Sequence, residues 1–296
     1  MNKLFYYILY GSAWLYSVLP LRVMYILSDF SYIFVYYIAR YRRELARRNL
    51  VSSFPGKTKE EILKIEKAFY HHLCDYFFET IKLLHISDEE MRRRFVFNGI
   101  DQTQKALDDG RSCIMMLGHY GNWEWVTSIT LWVKGKDAVI GQIYRPLKNK
   151  AFDLFFLKLR KRFHSSGITK DGTYREIIKM RKDKINWLLG FISDQKPSPR
   201  NSHYWTDFLN HETSVLIGAE RIAKQTDAVV YYLDVKRVKR GYYESEVKLI
   251  TDKSGETAEF EITEKYIRMM EDTILRNPSY WLWTHNRWKH KKENSQ

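Results

Sequence analysis

Residues 4–21, LFYYILYGSAWLYSVLPL, run for 18 positions without a charge. A stretch of that length and character is about enough for one crossing of the hydrocarbon layer, so the N-terminus must meet either lipid or a large apolar core. Pro20 and Arg22 end the run, and FSYIFVYYIA at 30–39 adds a second uncharged stretch. Only Lys3 precedes the first run and no small-residue cleavage pattern follows it, which argues against a cleaved secretory signal. The segment can cross the bilayer, or lie in the interface as a bent helical pair. Eight tyrosines between residues 4 and 39 favour interfacial depth. The arginine-rich RYRRELARR at 40–48 follows directly and marks the cytoplasmic side. A buried N-terminal helix of a soluble protein is the competing reading, against which the run shows no polar face.

The rest of the 296 residues suffices for one large domain. With 45% hydrophobic residues the chain can build a core, and with only two cysteines, Cys74 and Cys113, it has neither a disulfide scaffold nor a cysteine-built zinc site. Residues 58–84 read as a helix: Ile62, Ile65, Phe69, His72, Leu73, Tyr76 and Phe77 recur at three- and four-residue steps, and Thr58 with Glu61 forms a capping-box pattern. His71 and His72 near Asp75 suggest a metal only weakly, because adjacent helical residues face different ways.

From about residue 100 the pattern changes. CIMML at 113–117, AVIGQIY at 138–144, INWLLGFIS at 185–193, AVVYYLDV at 228–235 and YYESEVKLI at 242–250 read as strands. Residues 149–163, 213–225 and 259–276 read as helices. Alternation of this kind implies an α/β fold, a mixed sheet flanked by helices, behind an N-terminal membrane-associated segment of about residues 1–40. The remainder, 41–296, divides softly near residue 95 into a helical part and an α/β part.

His119 is the residue best placed for chemistry. It sits just past an apolar strand, in the turn GHYGNWEWV, where Gly118 and Gly121 permit a tight bend. Glu124 follows five residues later. Five positions on a regular helix turn through about 500°, so the two meet only if His119 precedes the helix and Glu124 lies on its first turn. A carboxylate on one imidazole nitrogen fixes the tautomer and raises the basicity of the other. No serine or cysteine nucleophile accompanies the pair, which suits direct transfer to a hydroxyl deprotonated by the base.

GHYGNWEW resembles the His-x4-acid motif of the lysophospholipid acyltransferase superfamily, and more narrowly that of the late acyltransferases of lipid A biosynthesis. RRNLVSSFP at 47–55, IYRPLKN at 143–149, SDQKPS at 193–198, FLNHETSVLIGAERIAKQTDAVV at 208–230 and NPSYWLWTHNRWK at 277–289 are similar to further segments of that family, in the same order. The likeness covers about residues 10–290. It implies that His119 is the catalytic base and Glu124 its acidic partner, with Glu where many members have Asp. It makes Asn122 and Trp123 part of the active-site floor, Arg145 a contact for an anion or oxyanion, and Asp194 and Gln195 a second polar wall of the substrate site. FLNHETS lacks the Phe-Phe-Gly triplet of many members, which bears on acceptor and chain-length specificity.

The resemblance further implies fatty acyl transfer from acyl carrier protein, or from coenzyme A, to a hydroxyl of a lipid A precursor at the inner membrane. Neither cofactor nor metal is needed, and no nucleotide-binding fingerprint or metal constellation is seen. The net charge of +14 expects an anionic partner. Between Lys134 and Lys184 there are 15 Lys/Arg against 5 Asp/Glu, a tract suited to an acidic carrier protein and to anionic lipid, or simply a solvated face. Nucleic acid is not expected, since no zinc finger, RNP motif or basic zipper is present. WLWTHNRWK at the C-terminus reads equally as packing or as an interfacial aromatic belt, with His285 structural. Alternatives are acylation of another glycolipid, aminolipid or lysophospholipid, thioester hydrolysis, and a non-enzymatic membrane-tethered binding protein.

Overall fold

The N-terminal run does not form one long helix. In the computed structural model, which describes residues 3–135, 138–290 and 292, α1 (Lys3–Val18) stops before Pro20 and α2 (Leu21–Ile33) starts after it. Proline lacks an N–H to continue the first helix but is well suited to begin the second. A single π-turn, Phe34–Ile38, prolongs α2, so the segment long and apolar enough to cross a membrane is Leu21–Ile38 rather than residues 4–21. The bent pair presents an apolar outer face: Leu4, Leu15, Ile26, Phe30, Ile33 and Ile38 are each at least half exposed.

The inner side of the pair lies on α4 (Lys59–Lys82). The capping box at its start is complete, with the Thr58 hydroxyl on the Glu61 N–H and the Glu61 carboxylate on the Thr58 N–H. α4 ties the bent pair to the body. Ser28 donates to Asp75, and Arg240 bridges Asp75 and Asp29 at 2.6 Å each. Asp29, His71 and Asp75 gather ligand atoms within 4.8 Å, but the guanidinium groups of Arg237 and Arg240 already neutralise Asp75. The cluster is an ion-pair clamp between α2, α4 and the sheet. α3 (Arg43–Ser53) carries the arginine-rich stretch and buries Asn49 and Leu50.

The sheet behind these helices has seven strands in the order β1-β9-β8-β2-β5-β3-β4. They are β1 (Phe95–Asn98), β2 (Cys113–Leu117), β3 (Val139–Tyr144), β4 (Ser166–Thr169), β5 (Trp187–Ile192), β8 (Val229–Lys239) and β9 (Tyr242–Thr251). β8, β2, β5, β3 and β4 run parallel, and the β9–β1 edge runs opposite. All five residues of β2 are buried, as expected for a parallel strand covered on both faces. Short helices α5 (Asp88–Arg94), α6 (Asp101–Asp108), α7 (Lys150–Arg160), α8 (Thr173–Lys182) and α9 (Gly218–Thr226), with the longer α10 (Glu261–Arg276), flank the sheet.

A two-stranded hairpin, β6 (Tyr204–Phe208) with β7 (His211–Val215), stands apart from the main sheet. It corrects the helix expected from residue 213: the first residues of that stretch pair as a strand, and α9 begins only at Gly218. The turn residues Leu209 and Asn210 both have positive φ, 51° and 62°, as a tight two-residue hairpin turn requires. Lys136 and Asp137 of the basic tract lie outside the described residues.

Candidate active site

β2 and β5 are neighbours in register, with Leu117 opposite Ile192. Each strand therefore delivers the residue two positions beyond its end to the same place, His119 from one and Asp194 from the other. The carboxyl ends of adjacent parallel strands are where α/β sheets open a crevice for ligands.

Asp194 grips His119 twice. One carboxylate oxygen lies 2.7 Å from Nδ1, and the other accepts the His119 backbone N–H at 2.9 Å and the Trp281 indole N–H at 2.8 Å. Asp194 is 1% exposed at its side chain. Burial by itself would raise its pKa, but the charge of His119 and these donors together pull it down to about 2. An ionised carboxylate only accepts, so Nδ1 carries the proton and Nε2 keeps its lone pair. The Gln195 amide nitrogen donates to Nε2 at 3.2 Å. The ring is 19% exposed, enough for a small group to reach it.

The turn holding the ring is fixed from three sides. A side chain at Gly118 would overlap the sulfur of buried Met270 on α10. Gly121, at φ 61°, donates its N–H to the Tyr280 carbonyl, while His72 bonds the Gly121 carbonyl. Asn122 is fully buried: its amide donates to Glu79 and its oxygen caps the Trp125 N–H at the start of a 3₁₀ turn, Trp125–Leu131. Trp123 meets the His119 ring edge-on at 5.2 Å and stacks on Tyr76 at 4.0 Å. Beyond them Phe69, Leu73, Tyr280 and Leu282 line a shallow apolar cleft of about 180 Å³ including its open mouth.

Glu124 is not the partner of His119. Both its oxygens are taken by Arg160 of α7, Oε1 by Nη2 at 2.6 Å and Oε2 by Nε at 2.8 Å. The turn that leads the chain away from His119 aims Glu124 at α7, while Asp194 occupies the Nδ1 side of the ring. The expected His119–Glu124 contact is thus replaced by His119–Asp194 and Glu124–Arg160. Because the Glu124 side chain is 3% exposed, Glu124→Gln strands a largely buried guanidinium. Thermal unfolding is expected to show a loss of about 3 kcal/mol, relieved in Glu124→Gln/Arg160→Met. Equal stability of the wild type and the single variant would contradict this.

Arg145 lies exposed just past β3 and forms no side-chain hydrogen bond or ion pair with any described residue. β3 is next to β5, so Arg145 emerges on the same edge as His119 and Asp194. Sequence reasoning missed the part played by the C-terminus. Trp281 and Trp283 are buried, which rules out a belt at the bilayer for these two, and Trp281 bonds Asp194 directly. Asn49 anchors the same segment by donating to the carbonyls of Trp283 and His285. Burial above all holds His285 down to about 4, against the opposing charge of Asp194, so it stays neutral.

A family model for bacterial lipid A biosynthesis acyltransferases matches residues 2–290. The chain belongs to that family. It is therefore an acyltransferase, which sets aside the reading as a mere binding protein. The lipid A biosynthesis palmitoleoyltransferase of Escherichia coli (strain K12) is 23% identical over 281 residues, 94% of this chain and 89% of that protein. The lipid A biosynthesis acyltransferase of Shigella flexneri matches to the same extent. That of Haemophilus influenzae is 22% identical over 212 residues, 71% of this chain and 64% of that protein.

Proposed function

We propose that this acyltransferase moves a fatty acyl chain from an acyl carrier protein thioester to a hydroxyl of a lipid A precursor. The observation that carries the mechanism is the state of His119, with Nδ1–H held by Asp194 and the Nε2 lone pair facing the Gln195 amide. The acceptor hydroxyl displaces the Gln195 amide and gives its proton to Nε2 as its oxygen attacks the thioester carbon. The tetrahedral intermediate collapses, the C–S bond breaks, and the imidazolium returns the proton to the leaving thiolate. Asp194 balances the imidazolium charge while it lasts. Arg145, without side-chain partners among the described residues and on the same edge, is the proposed donor to the oxyanion. Trp123 and Asn122 shape the floor, and Glu124 acts through Arg160 by holding α7 beside the cleft.

The acceptor class comes from the relatives, whose names specify lipid A biosynthesis. The donor class is supported by α8, where Arg175, Lys179, Arg181 and Lys182 have no carboxylate partner among the described residues, a fit for an acidic carrier. Arg160 and Arg162 of the same basic tract are spent internally, on Glu124 and on Asp88. We place the enzyme on the cytoplasmic face of the inner membrane, with α1 and α2 lying in the interface. An apolar outer face combined with an ion-paired inner side at Asp29 fits that posture better than a span.

Purified enzyme supplied with acyl carrier thioester and a lipid A precursor is expected to yield the precursor heavier by one acyl group, read by mass spectrometry. Parallel reactions with acyl coenzyme A identify the donor. Release of free fatty acid alone, whatever the acceptor, would overturn the assignment in favour of hydrolysis.

A further inference from the structure

Next to Gln195 the chain builds a second polar cleft that the steps above do not use. Lys196, Ser214, Arg287, Trp288 and His290 line it, and it encloses about 220 Å³ including its open mouth. Arg287 is the unusual member. It is 3% exposed, and its one side-chain hydrogen bond among the described residues runs from Nη2 to the Ser214 carbonyl at 2.6 Å. Its Nε is buried without a partner among the described residues, and so is the Ser214 hydroxyl. His290 Nε2 lies 3.4 Å from the Lys196 ammonium. No carboxylate among the described residues pairs with Lys196, Arg287 or Lys289.

A buried guanidinium with an unpaired N–H is strongly unfavourable unless something anionic completes it. Burial holds Arg287 down to about 10, with Asp194 opposing. The Lys196 ammonium is lowered by burial first and then by the charges of Lys289 and Arg287. These cations crowd one another around an opening. The donors come from three segments, the 193–198 loop, β7 and the C-terminal loop, and so converge on a compact group from different directions. A tetrahedral oxyanion, with oxygens facing several ways, fits that convergence better than a planar carboxylate.

We propose that this cleft is a phosphate-ester subsite of the active site, holding a phosphate group of one substrate while that substrate's reacting atom lies at His119. The proposal rests on the acyl-transfer reading for the substrate's identity, not for the binding itself. Lys196 directly follows Gln195, whose amide touches His119 Nε2, so the subsite and the base share one loop. Two substrates of the proposed reaction carry such a group: the phosphorylated glycolipid acceptor, and the donor through the phosphodiester of its prosthetic arm.

The test uses the full-length protein in detergent micelles and inorganic phosphate as the probe. Calorimetric titration is expected to show saturable binding that weakens about tenfold in Lys196→Gln, the loss of one charge-assisted contact. Lys196 is partly exposed, so this variant avoids the folding risk of replacing Arg287. Titration that does not saturate, or that is the same in the variant, overturns the proposal whether or not the enzyme acylates a lipid A precursor. Where turnover is measurable, phosphate is expected to compete with one substrate, and Lys196→Gln is expected to raise the KM of that same substrate. Competition with the glycolipid assigns the subsite to the acceptor, and competition with the thioester assigns it to the donor arm. Phosphate that competes with neither overturns the proposal.

Discussion

His119→Ala is expected to lower acyl transfer by about 10²–10⁴-fold, the usual contribution of a positioned general base. The ring is the base in the proposed mechanism, with Nε2 held only by the Gln195 amide that the acceptor displaces. Its removal leaves the fold intact for identifiable reasons. Asp194 keeps the His119 backbone N–H and the Trp281 indole as donors, and the turn is still held by Gly121 and Asn122. His119→Gln fills the space and keeps a donor toward Asp194, and it should be equally inactive. The measurement is initial rate of lipid acylation beside thermal unfolding of the same preparations. A folded His119→Ala enzyme with full activity would remove the imidazole from the chemistry.

Asp194→Asn is expected to be nearly as severe, about 10²–10⁴-fold, although only one atom changes. Asp194 accepts three N–H groups through two oxygens. An amide has one oxygen. If that oxygen faces the backbone and Trp281 donors, the amide nitrogen faces Nδ1 and forces the ring into the tautomer whose Nε2 is protonated. If it faces Nδ1, its N–H groups oppose two other N–H groups. Either way the base or the turn is lost. Stability follows the same logic with a definite sign. The folded Asp194 titrates near 2, below the ordinary carboxylate value of about 3.9, so its stabilisation is complete above the latter and fades as pH falls toward 2. The gap in unfolding free energy between wild type and Asp194→Asn should therefore be constant near neutrality and narrow only in acid. A gap that closed already at neutral pH would mean that the charge on Asp194 is not what stabilises the turn.

The strands that carry the site are legible from local sequence. CIMML occupies β2 residue for residue, and INWLLGFIS contains β5. His119, Asp194 and Gln195 each stand out as polar residues just past an apolar strand. Their pairing is not legible, because sequence spacing reveals neighbours along a chain and not neighbours across a sheet. Glu124, five residues away, is a natural partner by spacing; Asp194, 75 residues away, becomes the partner through the β2–β5 register. A usable signal existed: both strands end two residues before a polar side chain, so parallel pairing in register brings those side chains together. The β6–β7 hairpin escaped for a different reason. Its turn is Leu209–Asn210, without the glycine that normally marks residues at positive φ. The C-terminal tryptophans are ambiguous in sequence because indole suits both a core and a bilayer boundary, and burial of Trp281 and Trp283, with the bond from Trp281 to Asp194, decides for the core.

The central claim is that Asp194, and not Glu124, sets the tautomer of His119. Nitrogen-15 NMR of the His119 imidazole tests it most directly, in wild type, Asp194→Asn and the stability-matched Glu124→Gln/Arg160→Met. Wild type and the Glu124 variant should both show a protonated Nδ1 and an unprotonated Nε2, while Asp194→Asn loses that pattern. The reverse result, a tautomer indifferent to Asp194 and lost with Glu124, would contradict the account.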